Sequence, residues 1–137
     1  MRYVFFVILL SDISQMEKIL NYIDGKLIEP TSNQYIDNYN PAKGEIYSLI
    51  PNSDEKDVEL AYQAAENAFE GWSNTSKEKR SKIMMRIADL IEENLSDLAL
   101  AESIDNGKPV KLATHVDIPR AAANMRFYAT AILHQST

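Results

Sequence analysis

Thr75-Ser76-Lys77-Glu78-Lys79-Arg80-Ser81-Lys82-Ile83-Met84-Met85-Arg86-Ile87-Ala88-Asp89-Leu90-Ile91-Glu92-Glu93-Asn94-Leu95-Ser96-Asp97-Leu98 is the stretch that sets the fold class. Ile83, Met84, Ile87, Leu90, Ile91, Leu95 and Leu98 recur at steps of three and four, the period of an amphipathic helix. Thr75 as N-cap and Glu78 three residues on form a capping box, so the helix is expected to open there. A break is expected near Asn94, with helix resuming to Ile104, and Asn106-Gly107 followed by Pro109 reads as the stop.

Helical pattern extends to both sides of this stretch. Upstream, Ser53 is the expected N-cap, with Asp54 and Glu55 placing negative charge on the first turn. Val58, Ala61, Ala65, Ala68 and Trp72 share a face, and Gly71 marks the end. Downstream, a last helix is expected from Asp117, with Pro119 tolerated in its first turn and Ile118, Ala122, Met125, Ala129 and Ile132 facing inward. Before the helices the pattern alternates. Asp24-Gly25 between Tyr22-Ile23 and Lys26-Leu27-Ile28 predicts a hairpin with a type I′ turn. Gln34 to Tyr39 and Glu45 to Ile50 form a second strand pair around Asn40-Pro41-Ala42-Lys43-Gly44, and Pro51 stops it.

The composition narrows the function classes. The 137 residues suit one modest domain, 45% of them are hydrophobic, and the net charge is −6. An acidic chain repels phosphate backbones, so nucleic acid is not an expected partner. The basic run Lys77 to Lys82 is interrupted by Glu78 and reads as a solvated helix start. With no cysteine, disulfides, thiolate metal sites and cysteine nucleophiles are excluded, and a reducing, cytoplasmic setting fits. His115 and His134 stand far apart, and no HExxH, GxSxG, GxxxxGKS or GxGxxG motif occurs. Tyr3 to Leu10 is apolar but far shorter than the roughly 20 residues that span a bilayer. It allows a signal-peptide reading, and hence secretion, but one basic residue and a poor cleavage site speak against it. The sequons at Asn74 and Asn94 add little, since both lie on or beside expected helices.

Three segments give the chain a family likeness. Asn21-Tyr22-Ile23-Asp24-Gly25-Lys26, Asn40-Pro41-Ala42-Lys43-Gly44-Glu45 and Glu102-Ser103-Ile104-Asp105-Asn106-Gly107-Lys108-Pro109, in this order with amphipathic helices between, resemble the aldehyde dehydrogenase superfamily. Asp117-Ile118-Pro119-Arg120, running on to Arg126-Phe127-Tyr128-Ala129, is similar to the branch that oxidises 2-aminomuconic and 2-hydroxymuconic semialdehydes. The fold class expected from pattern and resemblance is an α+β fragment. N-terminal β-hairpins precede three or four amphipathic helices, the peripheral start of an α/β aldehyde dehydrogenase cofactor-binding domain. Residues 1–20 are an apolar extension outside the likeness, and residues 21–137 are the family segment, ending before the Rossmann sheet and catalytic domain.

The resemblance implies covalent catalysis by a cysteine, a glutamate that activates water, an oxyanion hole, and NAD or NADP as hydride acceptor. All of these residues come later in the family than Thr137. No catalytic or cofactor-binding residue is therefore carried over, and neither NAD nor NADP is expected to bind this chain alone. The expected substrate of the full-length enzyme is a small aldehyde, its expected assembly a homo-oligomer, and no membrane is expected as partner.

Arg120 is the residue the resemblance assigns to substrate, because a semialdehyde that carries a carboxylate needs a cationic partner and guanidinium binds carboxylate bidentately. Taken alone, it reads as a solvated arginine on a first helical turn. Asn38, Tyr39 and Asp105 match a place where family members hold a monovalent cation, largely through backbone oxygens. The simpler reading, that Asp105 only shapes the helix end, is favoured because backbone ligation leaves almost no sequence trace. Arg126, Phe127 and Tyr128 are explained by helix packing, and Trp72 by anchoring a core or a domain edge. Two other readings stand beside the enzyme fragment. One is a non-catalytic truncated isoform or helical interaction protein that binds full-length subunits, and the other is a small secreted helical protein.

Overall fold

The computed structural model describes residues 16–134, so the apolar run at Tyr3 to Leu10 and its signal-peptide reading lie outside the described residues. The described residues divide into two units, 16–40 with 44–68, and 41–43 with 69–134.

The first unit carries the strands. β1 (Glu17–Lys18), β4 (Tyr35–Asn40) and β5 (Glu45–Pro51) form one sheet in the order β1-β5-β4, with β1 parallel and β4 antiparallel to β5. β2 (Asn21–Ile23) and β3 (Lys26–Ile28) form the separate hairpin expected at Asp24-Gly25. Both turn residues have positive φ, 52° and 73°, as a type I′ turn requires. At the second turn, Gly44 takes φ 71° and donates its N–H to the Asn40 carbonyl at 2.8 Å. A bulge interrupts the β4–β5 ladder. Asn38 pairs with Ser48 but Tyr39 with Ile46, which leaves Tyr47 as the extra residue. The Asn38 amide donates to the hydroxyls of Tyr47 (2.9 Å) and buried Ser48 (3.1 Å), tying the bulge together.

Helix α1 (Glu55–Ser73) begins one residue later than a Ser53 cap would place it. The cap is Asp54, whose carboxylate accepts the N–H of Lys56 at 2.9 Å, while Asp57 accepts the Asp54 N–H at 3.0 Å. This is a reciprocal capping box built from two aspartates. Ser53 instead exchanges hydrogen bonds with the Asn21 side chain. Val58, Ala61, Ala65, Ala68 and Trp72 do share a face, but none of them is buried. The buried residue of α1 is Asp57.

The second unit is helical. α2 (Lys77–Glu93) is capped by Ser76, which accepts the Lys79 N–H, and not by Thr75. Thr75 donates its hydroxyl back to the Gly71 carbonyl, at the end of the preceding helix. The break at Asn94 is present, and α3 (Leu95–Asn106) follows at once. Gly107 ends α3 in the left-handed conformation, φ 78°, as its Asn-Gly signal foretold. Helix resumes earlier than Asp117, with α4 (Val110–Leu112), a π turn over Ala113–Asp117, and α5 (Ile118–His134). The π turn has a local cause. Pro119 offers no N–H to the His115 carbonyl and its ring crowds that oxygen in an α-helix, and a wider turn relieves both. The Ile118 N–H reaches back five residues to Ala113.

α2 and α5 pack along a seam of small residues, Ser81 and Ala88 against Ala122 and Ala129, with Ala99 of α3 and Ala113 also fully or nearly fully buried. Arg126 crosses the seam to Asp89 (2.8 Å) and Glu92 (2.5 Å). The larger side chains of the same helices, Ile83, Ile87, Leu90 and Leu98, keep more than a third of their surface open.

Candidate functional site

Lys108 is fixed on both sides of its main chain. Its N–H donates to the Asn106 side-chain oxygen at 3.0 Å, and its carbonyl accepts the Ser103 hydroxyl at 2.5 Å. Its ammonium lies 2.8 Å from Glu102 Oε1 and 2.8 Å from Asp117 Oδ2. The second oxygen of Asp117 accepts from Arg120 Nη2 at 3.0 Å. Glu102, Lys108, Asp117 and Arg120 thus form one chain of alternating charge that links α3, the loop after it, the π turn and the first turn of α5.

Burial is uneven along this chain. The Asp117 side chain is only 17% exposed, whereas Arg120 is 67% exposed. The carboxylate is therefore held inside, and the guanidinium is presented to solvent. Hydrogen bonds to Asp117 and then Glu102 hold the Lys108 ammonium above the usual lysine range, so it stays charged. A tethered, solvent-facing guanidinium is the geometry that captures a carboxylate.

The other expected site residues fall elsewhere. Asn38 and Tyr39 are consecutive on β4, at the bulge, in the first unit. Asp105 is the penultimate residue of α3, in the second unit. Among the described residues, no cluster of three or more His, Cys, Asp or Glu side chains is placed to hold a metal. Arg126 is a packing residue, as expected, and its ion pairs with Asp89 and Glu92 raise its pKa further. Phe127 and Tyr128 meet edge to face with centroids 5.2 Å apart, and both are exposed. Lys108 and Asp117 were not singled out from the sequence. The signal for Lys108 was its place in the Glu102 to Pro109 run, but its partner Asp117 lies nine residues on, beyond any local rule.

The described hollows lie in the first unit, where the β2–β3 hairpin faces α1. Asn21, Tyr22, Ser53, Asp57 and Val58 are among the residues that line the first, of about 230 Å³. The hairpin turn and Ala61, Ala64, Ala65 and Ala68 line another, of about 340 Å³. The chain's four glycines are scattered at 25, 44, 71 and 107, and no glycine-rich loop opens any helix. No described helix is long and apolar enough to cross a membrane.

Residues 27–137 match the model of the aldehyde dehydrogenase family. The chain belongs to the aldehyde dehydrogenase family. It is 47% identical over 117 residues to 2-aminomuconic semialdehyde dehydrogenase of Bos taurus, covering 85% of this chain and 24% of that one. It is 44% identical over 115 residues to an aldehyde dehydrogenase of Vibrio cholerae, covering 84% of this chain and 23% of the relative. The NAD+ complex of the Bacillus cereus aldehyde dehydrogenase superposes with a TM-score of 0.80 at 34% identity, covering 83% of this chain and 24% of that structure. The chain thus spans about a quarter of the length of the family members it matches. The α+β arrangement of strands followed by helices is that of the corresponding quarter of an aldehyde dehydrogenase.

Proposed function

We propose that residues 21–137 form the opening segment of the cofactor-binding domain of an NAD(P)-dependent aldehyde dehydrogenase. Its substrate is a carboxylate-bearing aldehyde of the muconic semialdehyde type, which it oxidises to the acid. Residues 1–20 precede this segment as an extension. The observation that carries the substrate reading is the exposed guanidinium of Arg120, held by Asp117 at the start of α5. It stands in a segment 47% identical to a 2-aminomuconic semialdehyde dehydrogenase. Arg120 pairs with the substrate carboxylate and so orients the aldehyde. The enzyme is further proposed to work as a homo-oligomer in the cytoplasm.

The test is a KM comparison in the enzyme that carries this segment. Arg120→Ala should raise KM for a carboxylate-bearing semialdehyde about tenfold, the effect of losing one charge-assisted pair discounted for exposure. KM for a neutral aldehyde of similar size should change less than about twofold. Equal effects on both aldehydes would make Arg120 structural and remove the substrate reading. The 137-residue chain by itself should reduce no NAD with any aldehyde, because it carries no cysteine to form the thioester. Reduction above that of a heat-denatured control would refute this.

The half-exposed aliphatic side chains of α2 and α3 favour a second reading, in which the chain acts as a non-catalytic segment that binds full-length subunits. Co-purification of the tagged chain with a full-length subunit, lost on mixed substitution of Ile83 and Ile87 by Asp, would support it.

A further inference from the structure

We infer that Lys108 is a positioning residue for substrate binding, acting through Asp117 to keep the Arg120 guanidinium oriented and its charge available to a substrate carboxylate. This rests on the reading of Arg120 given above. The geometry is a shared carboxylate. Asp117 gives Oδ2 to Lys108 at 2.8 Å and Oδ1 to Arg120 at 3.0 Å. With only 17% of its side chain exposed, Asp117 has little water to rotate into, so the ammonium on one oxygen fixes where the other oxygen points. That second oxygen sets the tilt of the guanidinium.

Charge balance makes the same demand. Lys108 and Arg120 together cancel Glu102 and Asp117, all within one hydrogen-bonded chain. Without the Lys108 cation, Asp117 turns its whole charge on Arg120, and the cluster carries one net negative charge. A carboxylate arriving at Arg120 then meets a neutralised partner and a repulsive background. The π turn is part of the device. It widens the helix just before Asp117, so that Asp117 faces inward to Lys108 while Arg120, three residues later, stays on the outside.

The experiment uses the enzyme that carries this segment, with Lys108→Met, Arg120→Ala and the double variant. Lys108→Met should raise KM for a carboxylate-bearing semialdehyde about three- to tenfold and leave kcat and the KM for a neutral aldehyde within about twofold. In the Arg120→Ala background the same substitution should have a much smaller effect, since its route through Arg120 is gone and only the screened background charge remains. Lys108→Arg keeps the cation and should restore most of the wild-type KM, and it serves as the folding control if the methionine variant is poorly soluble. Raising ionic strength should shrink the difference between wild type and Lys108→Met. If Arg120→Ala is selective for the carboxylate substrate but Lys108→Met is not, this inference falls and the role of Arg120 stands. An equal loss on both aldehydes, or a full additional loss in the double variant, would likewise overturn it. If Arg120→Ala is itself unselective, the substrate reading fails and takes this inference with it.

Discussion

Asp57 concentrates two jobs in one carboxylate. It is 3% exposed, accepts the Asp54 N–H that completes the capping box, and accepts the Thr31 N–H at 2.9 Å from the loop after β3. Removing it leaves two partly buried donors without a partner and also loses a cap. Asp57→Ala should lower stability by about 2–3 kcal/mol, read as a shift of the urea midpoint with unchanged slope. A shift no larger than that of an exposed Glu→Ala control on α1, such as Glu59→Ala, would show that water replaces the carboxylate. Gly107 is constrained twice over. Its φ of 78° disfavours any side chain, and an added Cβ would lie 3.2 Å from the Pro41 Cβ. Gly107→Ala should therefore cost about 1–3 kcal/mol, and Gly71→Ala, which meets open space in a helix, should be neutral or slightly stabilising. Similar midpoints for the two variants would mean that Pro41 yields easily.

The helix starts carry a pH signature. Hydrogen bonds from the Lys56 backbone, and then from Thr31 and Asp57, hold the Asp54 carboxyl below the usual aspartate range. Glu78 is likewise held low, first by its own backbone N–H and then by Ser76. A carboxyl whose folded pKa is depressed stabilises the fold above its unfolded pKa, about 4 for Asp and Glu, and loses that stabilisation as pH falls through the lower folded value. Helicity read by circular dichroism should hold down to about pH 4 and fall below it, and Asp54→Asn should flatten the first part of that fall. An unchanged acid profile in Asp54→Asn would assign the loss to other carboxylates. These caps also mark how far the sequence was legible. The Asp24-Gly25 hairpin, the Asn94 break and the Gly107 stop were readable because each depends on residues within a turn's reach. Both N-caps were misplaced by one residue. Ser53 and Asp54 have equal capping chemistry, and the choice between them is made at a distance, by Asn21 taking Ser53 and Thr31 reaching Asp57. β1 escaped notice because its two residues gain strand geometry only from parallel pairing with β5. The π turn had a legible cause in Pro119, but a tight helix start at Asp117 satisfied the same proline. At the candidate site, Arg120 is proposed from the likeness of its surroundings, while the Lys108–Asp117 pair is a product of the fold.

At the scale of the whole chain, the largest apolar side chains and the tightest packing do not coincide. Among the described residues, the hydrophobic ones that are fully buried are alanines, at 88, 99, 113, 122 and 129. An alanine seam lets helices approach closely, but each methyl buries little surface, on the order of 0.8 kcal/mol per carbon. The stripes that decide the fold class in the sequence, with Ile83, Ile87, Leu90, Leu98 and Met125, remain between 36% and 41% exposed, and Val58, Phe69 and Trp72 of α1 are more open still. Amphipathic faces of this width need a second layer. Fully burying one such aliphatic side chain contributes about 1.5–3 kcal/mol, so half-exposure of a handful is comparable with a whole domain's net stability of about 5–15 kcal/mol. The isolated 137-residue chain should therefore bind ANS strongly in buffer, melt over a broad range, and self-associate as its concentration is raised. Replacing Ile83, Ile87 and Leu90 with Lys or Glu should reduce ANS binding and association without unfolding the helices, because the alanine seam lies on another face of α2. A monodisperse monomer with a sharp cooperative melt and no ANS signal would show that this segment closes on itself, and would favour a self-sufficient interaction domain over a segment built to receive the rest of a dehydrogenase.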